Sequence, residues 1–375
     1  ISKIRRWRGE VTDNEAAPAP APLTHGVITG PITQSCKSQM FIDENGEVDN
    51  NLARNTMLSS GVPGSVDGLI ELLDRHGTMT MKQVIAPAVR LADEGFEIDW
   101  YVARHFAGVR PRMQAHPASL KKFSINGEPP EPGDIWRQPD LAKTLARIAE
   151  HGRKGFYEGE TAGLIVAEME RGGGIVSHED LKAYRSVWRE PVNGTYRGYD
   201  IWSMGPPSSG GVLLIQILNM LEDHDLSASG WGSADTVHLM VEAERRAYAD
   251  RAEHLGDPDF YAVPVDVLID KAYAKRRFAD LKRDKASNSN EIYPGVMPLP
   301  EGMETTHFSV MDKSGLMVAL TTTLNSSYGN KIVVPGTGML MNNEMDDFSA
   351  KPGTENQFQL LGAEANAIAP HKRML

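Results

Sequence analysis

The hydrophobic pattern of this chain changes period once, near Thr305, and that change limits the fold more than any other feature. Upstream, apolar residues recur at helical spacing. In GVPGSVDGLIELLDRHG, Val66, Leu69, Ile70 and Leu73 fall at i, i+3, i+4 and i+7, with Ser65 at the expected N-cap and Gly77 past the end. A second helix is predicted over 81–94, tolerating Pro87. SHEDL at Ser177–Leu181 places Ser three residues before Asp180, a capping-box start. Residues 235–255 predict a long helix with Val237, Met240, Val241, Tyr248, Ala252 and Leu255 on its apolar stripe, a solvated charged face at 242–246 and 250–253, and Gly256 closing it. From 271 to 300 the sequence turns charged and polar, as a helix end followed by an exposed connector. Beyond Thr305, Phe308 and Val310, then Leu316, Val318 and Leu320, alternate with their neighbours around DKSG, which predicts a β-hairpin. Helices first and strands after a polar connector predict an α+β or layered α/β protein rather than a βαβ repeat.

The chain has 375 residues, 41% of them hydrophobic, enough for a sizeable core. Its formal net charge of -11 disfavours a nucleic-acid or anionic-membrane surface and points to small-molecule chemistry. The single cysteine, Cys36, excludes an intramolecular disulfide and a multi-cysteine zinc site. No run of 18 apolar residues is present to span a membrane. Residues 1–39 read as an irregular lead with a Pro/Ala repeat at 16–22; without an initiating Met or an apolar stretch behind the basic residues, they suggest a fragment or processed product.

Several segments carry polar groups in chemically suggestive order. GPPSSGG at Gly205–Gly211 precedes the apolar run VLLIQILNMLE; the plainer reading is a helix-capping loop, the sharper one a nucleophile turn or anion cradle. The eleven histidines form no HExxH or other metal pairing, and His238 and His307 read as packing or hydrogen-bonding residues. NNEMDD at Asn342–Asp347 joins three carboxylates to two amides after the strand-like GTGMLM; it suits a solvated loop or a receptor for a cation or ammonium group. Alternation puts Thr321, Thr323 and Asn325 on one face of the second hairpin strand, and Thr305, His307 and Ser309 on one face of the first, leaving Thr306 opposite. The hairpin thereby gathers hydroxyls from both strands. A threonine hydroxyl is a poor nucleophile without a base, but a threonine at a chain N-terminus has its own α-amine for that purpose. Attack of the Thr305 hydroxyl on the Glu304 carbonyl, followed by hydrolysis of the ester, would create such a terminus.

GVPGSVDGL at Gly61, IAPAVRLADEGF at Ile85, GPPSSGGVLLIQILNMLE at Gly205, EAERRAYADRAEHLGDPDF at Glu242, TTHFSV at Thr305, PGTGMLMNNEMDDFSAKPG at Pro335 and GAEANAIAPHKR at Gly362 occur in one order along the chain. Together they resemble the γ-glutamyltranspeptidase (glutathione hydrolase) family of N-terminal-nucleophile hydrolases. The resemblance implies an αββα sandwich, incomplete here, and a zymogen that cuts itself between Glu304 and Thr305 into associating pieces. It divides the chain into the 1–39 lead, a large-subunit-like region over 40–304 and the start of a small-subunit-like region over 305–375. Thr305 would be the nucleophile that accepts the γ-glutamyl group of glutathione or a related amide. Thr323 would place it, and Asn325, Glu344 and Asp347 would hold the substrate's α-amino end. Water, an amino acid or a peptide would accept the acyl group; no metal or cofactor is implied, and relatives' export implies a periplasmic or extracellular location. Phe358 stands where some relatives carry a tyrosine in a lid.

The resemblance also has departures. Counting back from Met40 puts Thr29 where the family's carboxylate-binding arginine is expected. The chain stops at Leu375, ahead of the family's serine pair and of the glycine pair whose N–H groups form the oxyanion hole, each donor of which is typically worth roughly 100- to 1,000-fold in turnover. The expectation is a chain truncated at both ends, with a cephalosporin-acylase-like enzyme or a non-catalytic fragment as alternatives.

Overall fold

In the computed structural model, residues 33–292 and 306–375 are described, apart from Ser314, with His25–Val27 and Asn290 as backbone only. The helices that matter for the site are α1 (Asn50–Asn55), α2 (Ser65–His76), α3 (Met81–Glu94), α4 (Pro117–Lys122), α5 (Pro139–His151), α6 (Gly159–Gly172), α7 (Gly210–Leu221), α8 (Ala234–His254) and α9 (Lys271–Arg277). The described strands are β1 (His25–Val27), β2 (Phe96–Glu97), β3 (Ile135–Trp136), β4 (Val187–Arg189), β5 (Val192–Tyr196), β6 (Tyr199–Ser203), β7 (Thr306–Met311), β8 (Met317–Thr322), β9 (Val333–Val334) and β10 (Met339–Leu340). They pair antiparallel two by two: β1 with β4, β2 with β3, β5 with β6, β7 with β8 and β9 with β10. The α+β class follows from the sequence texture, helices dominating before residue 305 and extended chain after it.

Local chemistry sets several boundaries where the sequence placed them. Thr80 and Gln83 form a reciprocal capping box at the start of α3, and Pro87 is accommodated in its interior. Ser177 and Asp180 do the same for the helix His178–Ala183. At α2 the expected cap is displaced: Gly64 occupies the N-cap, Ser65 is already helical, and Gly77 closes the helix with its N–H on the Leu73 carbonyl.

Along α8 the predicted apolar stripe meets the core only at its C-terminal end, where Leu255 is buried and Tyr248 packs; its first half turns another face inward. Val237, Met240 and Val241 are exposed, whereas Leu239, Ala243 and Ala247 are buried together with Glu242, Arg246, Asp250 and Arg251. The charges go inside because they are paired there. Arg246 bonds Glu242 at 2.7 Å and reaches Asp280 at 2.6 Å, and Glu242 also accepts the Ser287 N–H at 3.0 Å. Asp250 accepts from the Tyr273 hydroxyl at 2.9 Å and pairs with Arg277 at 3.0 Å. The face expected to be solvated is thus the ionic seam that binds α9 and the polar segment 280–289.

Chain after residue 305 enters the cores built before it. Ile332, Val334 and Met341 pack with Met57, Val62, Ile165 and Met169; Val333 joins Phe106 and Phe123; Met345 and Phe348 join Phe41 and Ala53. The hairpin β7–β8 is the exception: Phe308, Val310 and Met317 are exposed. Among the described residues no helix is long and apolar enough to cross a membrane.

Candidate active site

The site is assembled by β8 running into a tight turn that is strapped to the acidic turn at Glu344–Asp347. In the hairpin, Thr306 pairs with Thr322 and His307 with Thr321. Of the face expected to gather hydroxyls, His307 Nδ1 lies 2.7 Å from Thr321 Oγ1 and its Nε2 3.4 Å from Ser309 Oγ. Past β8, the Thr323 hydroxyl accepts the Asn325 N–H at 2.9 Å. This local bond turns the chain, and Asn325 takes a left-handed φ of 72°, a conformation asparagine tolerates better than most residues.

Asn325 is buried, and its side-chain amide donates to the Asn343 carbonyl at 2.9 Å. The Asn343 N–H in turn donates to the Leu324 carbonyl at 3.1 Å. Ser326 completes the strap, its N–H on Asn343 Oδ1 at 3.0 Å and its hydroxyl accepting from Asn343 Nδ2 at 2.8 Å. Of the residues assigned from sequence, Thr323, Asn325, Glu344 and Asp347 therefore lie on two turns joined directly by hydrogen bonds. Glu304, Thr305 and Thr29 lie outside the described residues.

The acidic turn is held from behind by the GVPGS segment. Asn342 and Gly61 bond reciprocally, Gly61 N–H to Oδ1 at 2.9 Å and Nδ2 to the Gly61 carbonyl at 3.0 Å, while the Ser60 hydroxyl donates to the Asn342 carbonyl at 2.8 Å. Asn330 Nδ2 reaches both Ser60 Oγ and the Thr56 carbonyl at 3.0 Å. At Gly329, with φ of 56°, a Cβ would stand 2.0 Å from the Met341 carbonyl oxygen, so only glycine admits this approach. Upstream, the Thr144 hydroxyl donates to the Thr337 carbonyl at 2.9 Å, the Ser119 hydroxyl accepts the Val333 N–H at 2.9 Å, and Lys122 donates to the Gly338 carbonyl at 2.7 Å. Helices α4 and α5 thereby fix the β9–β10 ribbon that delivers the acidic residues.

The three carboxyl groups have different environments. Burial pushes Glu344 up to about 7. Burial also raises Asp346, against the pull of the Gln357 N–H and of Arg54, which pairs with it at 3.0 Å. Asp347 Oδ1 accepts from Asn356 Nδ2 at 3.3 Å, and its carbonyl accepts from Asn366 at 2.7 Å. The loop carrying Phe358 is closed by the Gly353 N–H on the Gly362 carbonyl at 3.1 Å and reaches the site through Asn356 and Gln357. Arg54 and Gln357 carry no signal in the sequence, whereas Asn343 and Asp346 lie within the NNEMDD run without an assigned role of their own.

Two other sequence candidates resolve into structural roles. Ser209 precedes α7 but makes no side-chain cap; its hydroxyl accepts from Arg251 Nε at 3.1 Å. His238 contacts the Lys282 carbonyl at 2.7 Å. A surface cleft bordered by Arg189–Asn193, Gly205, Pro206 and Asp266 lies elsewhere and shares no residue with the Asn325–Glu344 turns.

Comparison with known proteins bears on this arrangement. The family model described as Gamma-glutamyltranspeptidase matches residues 29–375. The glutathione hydrolase proenzyme of Escherichia coli K12 is 46% identical over 337 residues, covering 90% of this chain and 58% of that protein. An acylase ACY 1 proenzyme of Pseudomonas sp. V22 is 37% identical, covering 88% of this chain and 58% of that protein. The chain thus spans somewhat over half the length of the curated relatives it matches. Among solved structures, Helicobacter pylori γ-glutamyltranspeptidase superposes with a TM-score of 0.70 at 41% identity, over 75% of this chain and 84% of that one. Cephalosporin acylase from Bacillus halodurans gives 0.78 at 27% identity, over 93% of this chain and 61% of that one. These structures place the chain in the N-terminal-nucleophile hydrolase fold. With the model match spanning nearly its whole length, the chain belongs to the γ-glutamyltranspeptidase family.

Proposed function

We propose that this chain performs γ-glutamyl transfer or hydrolysis through Thr305, released as an N-terminus by self-cleavage after Glu304. The supporting observation is the direct strap between the turn at Thr323–Ser326 and the acidic turn at Glu344–Asp347, at the end of the strand that pairs with Thr306. Thr323 directly follows Thr322, the partner of Thr306 in that register. Thr323 positions the nucleophile, and the freed α-amine of Thr305 takes the proton of the Thr305 hydroxyl as that oxygen attacks the γ-carbonyl. The amine of the leaving group departs protonated, leaving a γ-glutamyl ester that water, an amino acid or a peptide opens. Asn325, Glu344 and Asp347 receive the substrate α-ammonium. A carboxyl raised to about 7 by burial regains its charge when a cation arrives, which favours an ammonium ligand over a neutral one.

An acylase reading is favoured by the Bacillus halodurans likeness, which covers 93% of this chain. It retains Thr305 and Thr323 but leaves the carboxylates no ammonium to hold. The two pieces remain associated after cleavage, and an exported location is adopted from the family resemblance. The test is N-terminal sequencing of the purified chain beside Thr305→Ala, with turnover of a γ-glutamyl anilide and of a glutaryl anilide lacking the α-amine. A new Thr305 N-terminus with preference for the γ-glutamyl compound supports the first reading; preference for the glutaryl compound supports the second. A single uncut chain with no turnover above the Thr305→Ala control removes both.

A further inference from the structure

The two turns of the site are joined by a second route, one that begins on a distant helix. Arg54, in α1, pairs through Nε with Asp346 Oδ1 at 3.0 Å. The other oxygen of the same carboxylate accepts the Gln357 N–H at 2.9 Å. Gln357 Oε1 accepts the Ser326 hydroxyl at 2.6 Å, and Ser326 is bonded at both its N–H and its hydroxyl to Asn343, whose carbonyl holds Asn325. Asp346 is almost wholly buried, its side chain 4% exposed, while Arg54 retains 26%. A buried carboxylate with its two oxygens committed to two different segments is a junction, since moving either partner alone leaves charge unpaired. The same loop carries Asn356 to Asp347, so it bears on both aspartates of the turn.

We propose that Arg54 is a positioning residue: through Asp346 and Gln357 it fixes the Asn325–Ser326 turn against the acidic turn, and so sets the spacing of the groups that receive the substrate's charged end. That last consequence rests on the function proposed above; the relay itself does not. Arg54 touches no reacting atom. Its guanidinium holds the carboxylate in one orientation, and the carboxylate holds the loop amide. Asp346, to which the family resemblance assigns no role, is then the residue that organises the turn, whereas Asp347 remains the proposed ligand.

The experiment is amide hydrogen exchange on the intact chain for wild type, Arg54→Met, Arg54→Lys and Gln357→Ala, with KM and kcat for a γ-glutamyl anilide measured in parallel. Arg54→Met is expected to speed exchange at Gln357 and Ser326 by roughly 10-fold, the size of one lost charge-assisted bond. Arg54→Lys restores part of the protection because an ammonium can still pair with Asp346. Gln357→Ala, which leaves the Arg54–Asp346 pair intact, frees Ser326 alone and guards against a folding defect in the arginine variants. In the activity arm KM rises by a similar factor while kcat stays within about twofold. Unchanged protection at Gln357 and Ser326 in Arg54→Met overturns the relay. So does a uniform loss of protection along the chain with no recovery in Arg54→Lys. Raised exchange with unchanged KM overturns the positioning role. Absence of turnover in wild type counts against the proposed function instead, and the exchange arm then decides the relay by itself.

Discussion

Glu344 is the residue whose chemistry is most exposed to experiment. Its carboxyl, raised by burial to about 7 from an ordinary 4.5, is mostly ionised only above that value. An ammonium ligand requires the ionised form, so KM for a γ-glutamyl substrate is expected to rise as pH falls through about 7, and Glu344→Gln should flatten that dependence while raising KM roughly 10- to 100-fold above pH 8. The stability effect has its own sign. Because the folded-state value is raised, the contribution from the protonated group is complete below about 4.5 and is lost as pH rises through about 7; denaturant melts across that window check it. Asn325 combines a left-handed φ with a buried amide bond to the Asn343 carbonyl. Asn325→Ala removes the bond and keeps the strained backbone, so a loss of about 1–3 kcal/mol in urea melts is expected, with Asn325→Gly losing less because glycine accepts the φ.

At the scale of elements, α8 shows that an apolar stripe need not be buried along its whole length: Leu255 joins the core but Val237, Met240 and Val241 do not. Its buried side holds small residues, Ala243 and Ala247, which let it approach α7, and charges of which Glu242, Arg246 and Asp250 meet α9 or the 280–289 segment, while Arg251 bonds the Ser209 hydroxyl and the Leu361 carbonyl. Arg246→Met should be among the more damaging single changes in the chain, costing about 3 kcal/mol, because it removes the shorter of the two arginine pairs of buried Glu242 and leaves only Arg245 at 3.5 Å. Adding Glu242→Leu to it should recover much of the loss, as equilibrium unfolding of the double variant will show. The β7–β8 hairpin lies at the other extreme. Val310 is 57% exposed, so Val310→Thr should change unfolding free energy by no more than about 0.5 kcal/mol despite sitting in a strand.

Over the whole molecule, the segments on either side of residue 305 share their cores and their buried hydrogen bonds. Met341 packs with Met57 and Ile165, Phe348 packs with Phe41, and Asn330 and Asn342 bond back to Thr56, Ser60 and Gly61. A cut between 304 and 305 would sever the chain without touching these contacts. The two pieces are therefore expected to co-elute in gel filtration under native conditions and to separate only in denaturant. Separation in plain buffer would show that the shared cores do not hold the pieces together.

Legibility in the sequence followed the range of the interactions involved. Capping boxes, the hairpin turn and the two-residue alternation act over a few residues, so TTHFSV and DKSG announced β7–β8, and SHEDL announced a helix start. The family motifs carried the α+β hydrolase fold and singled out Thr323, Asn325, Glu344 and Asp347 as a set. What a linear reading does not contain is which carboxylate finds which cation. Arg54 meets Asp346 from 292 positions away, and Arg246 meets Asp280 from 34. A charge on a helix reads as solvated until its partner is brought to it, because the pattern records polarity and not pairing. By itself the sequence determined the local turns, the family and the residue types of the site. Only the tertiary structure decided which face of α8 is buried and which aspartate braces the acidic turn, since burying a charge becomes tolerable only when a distant segment supplies its counter-charge.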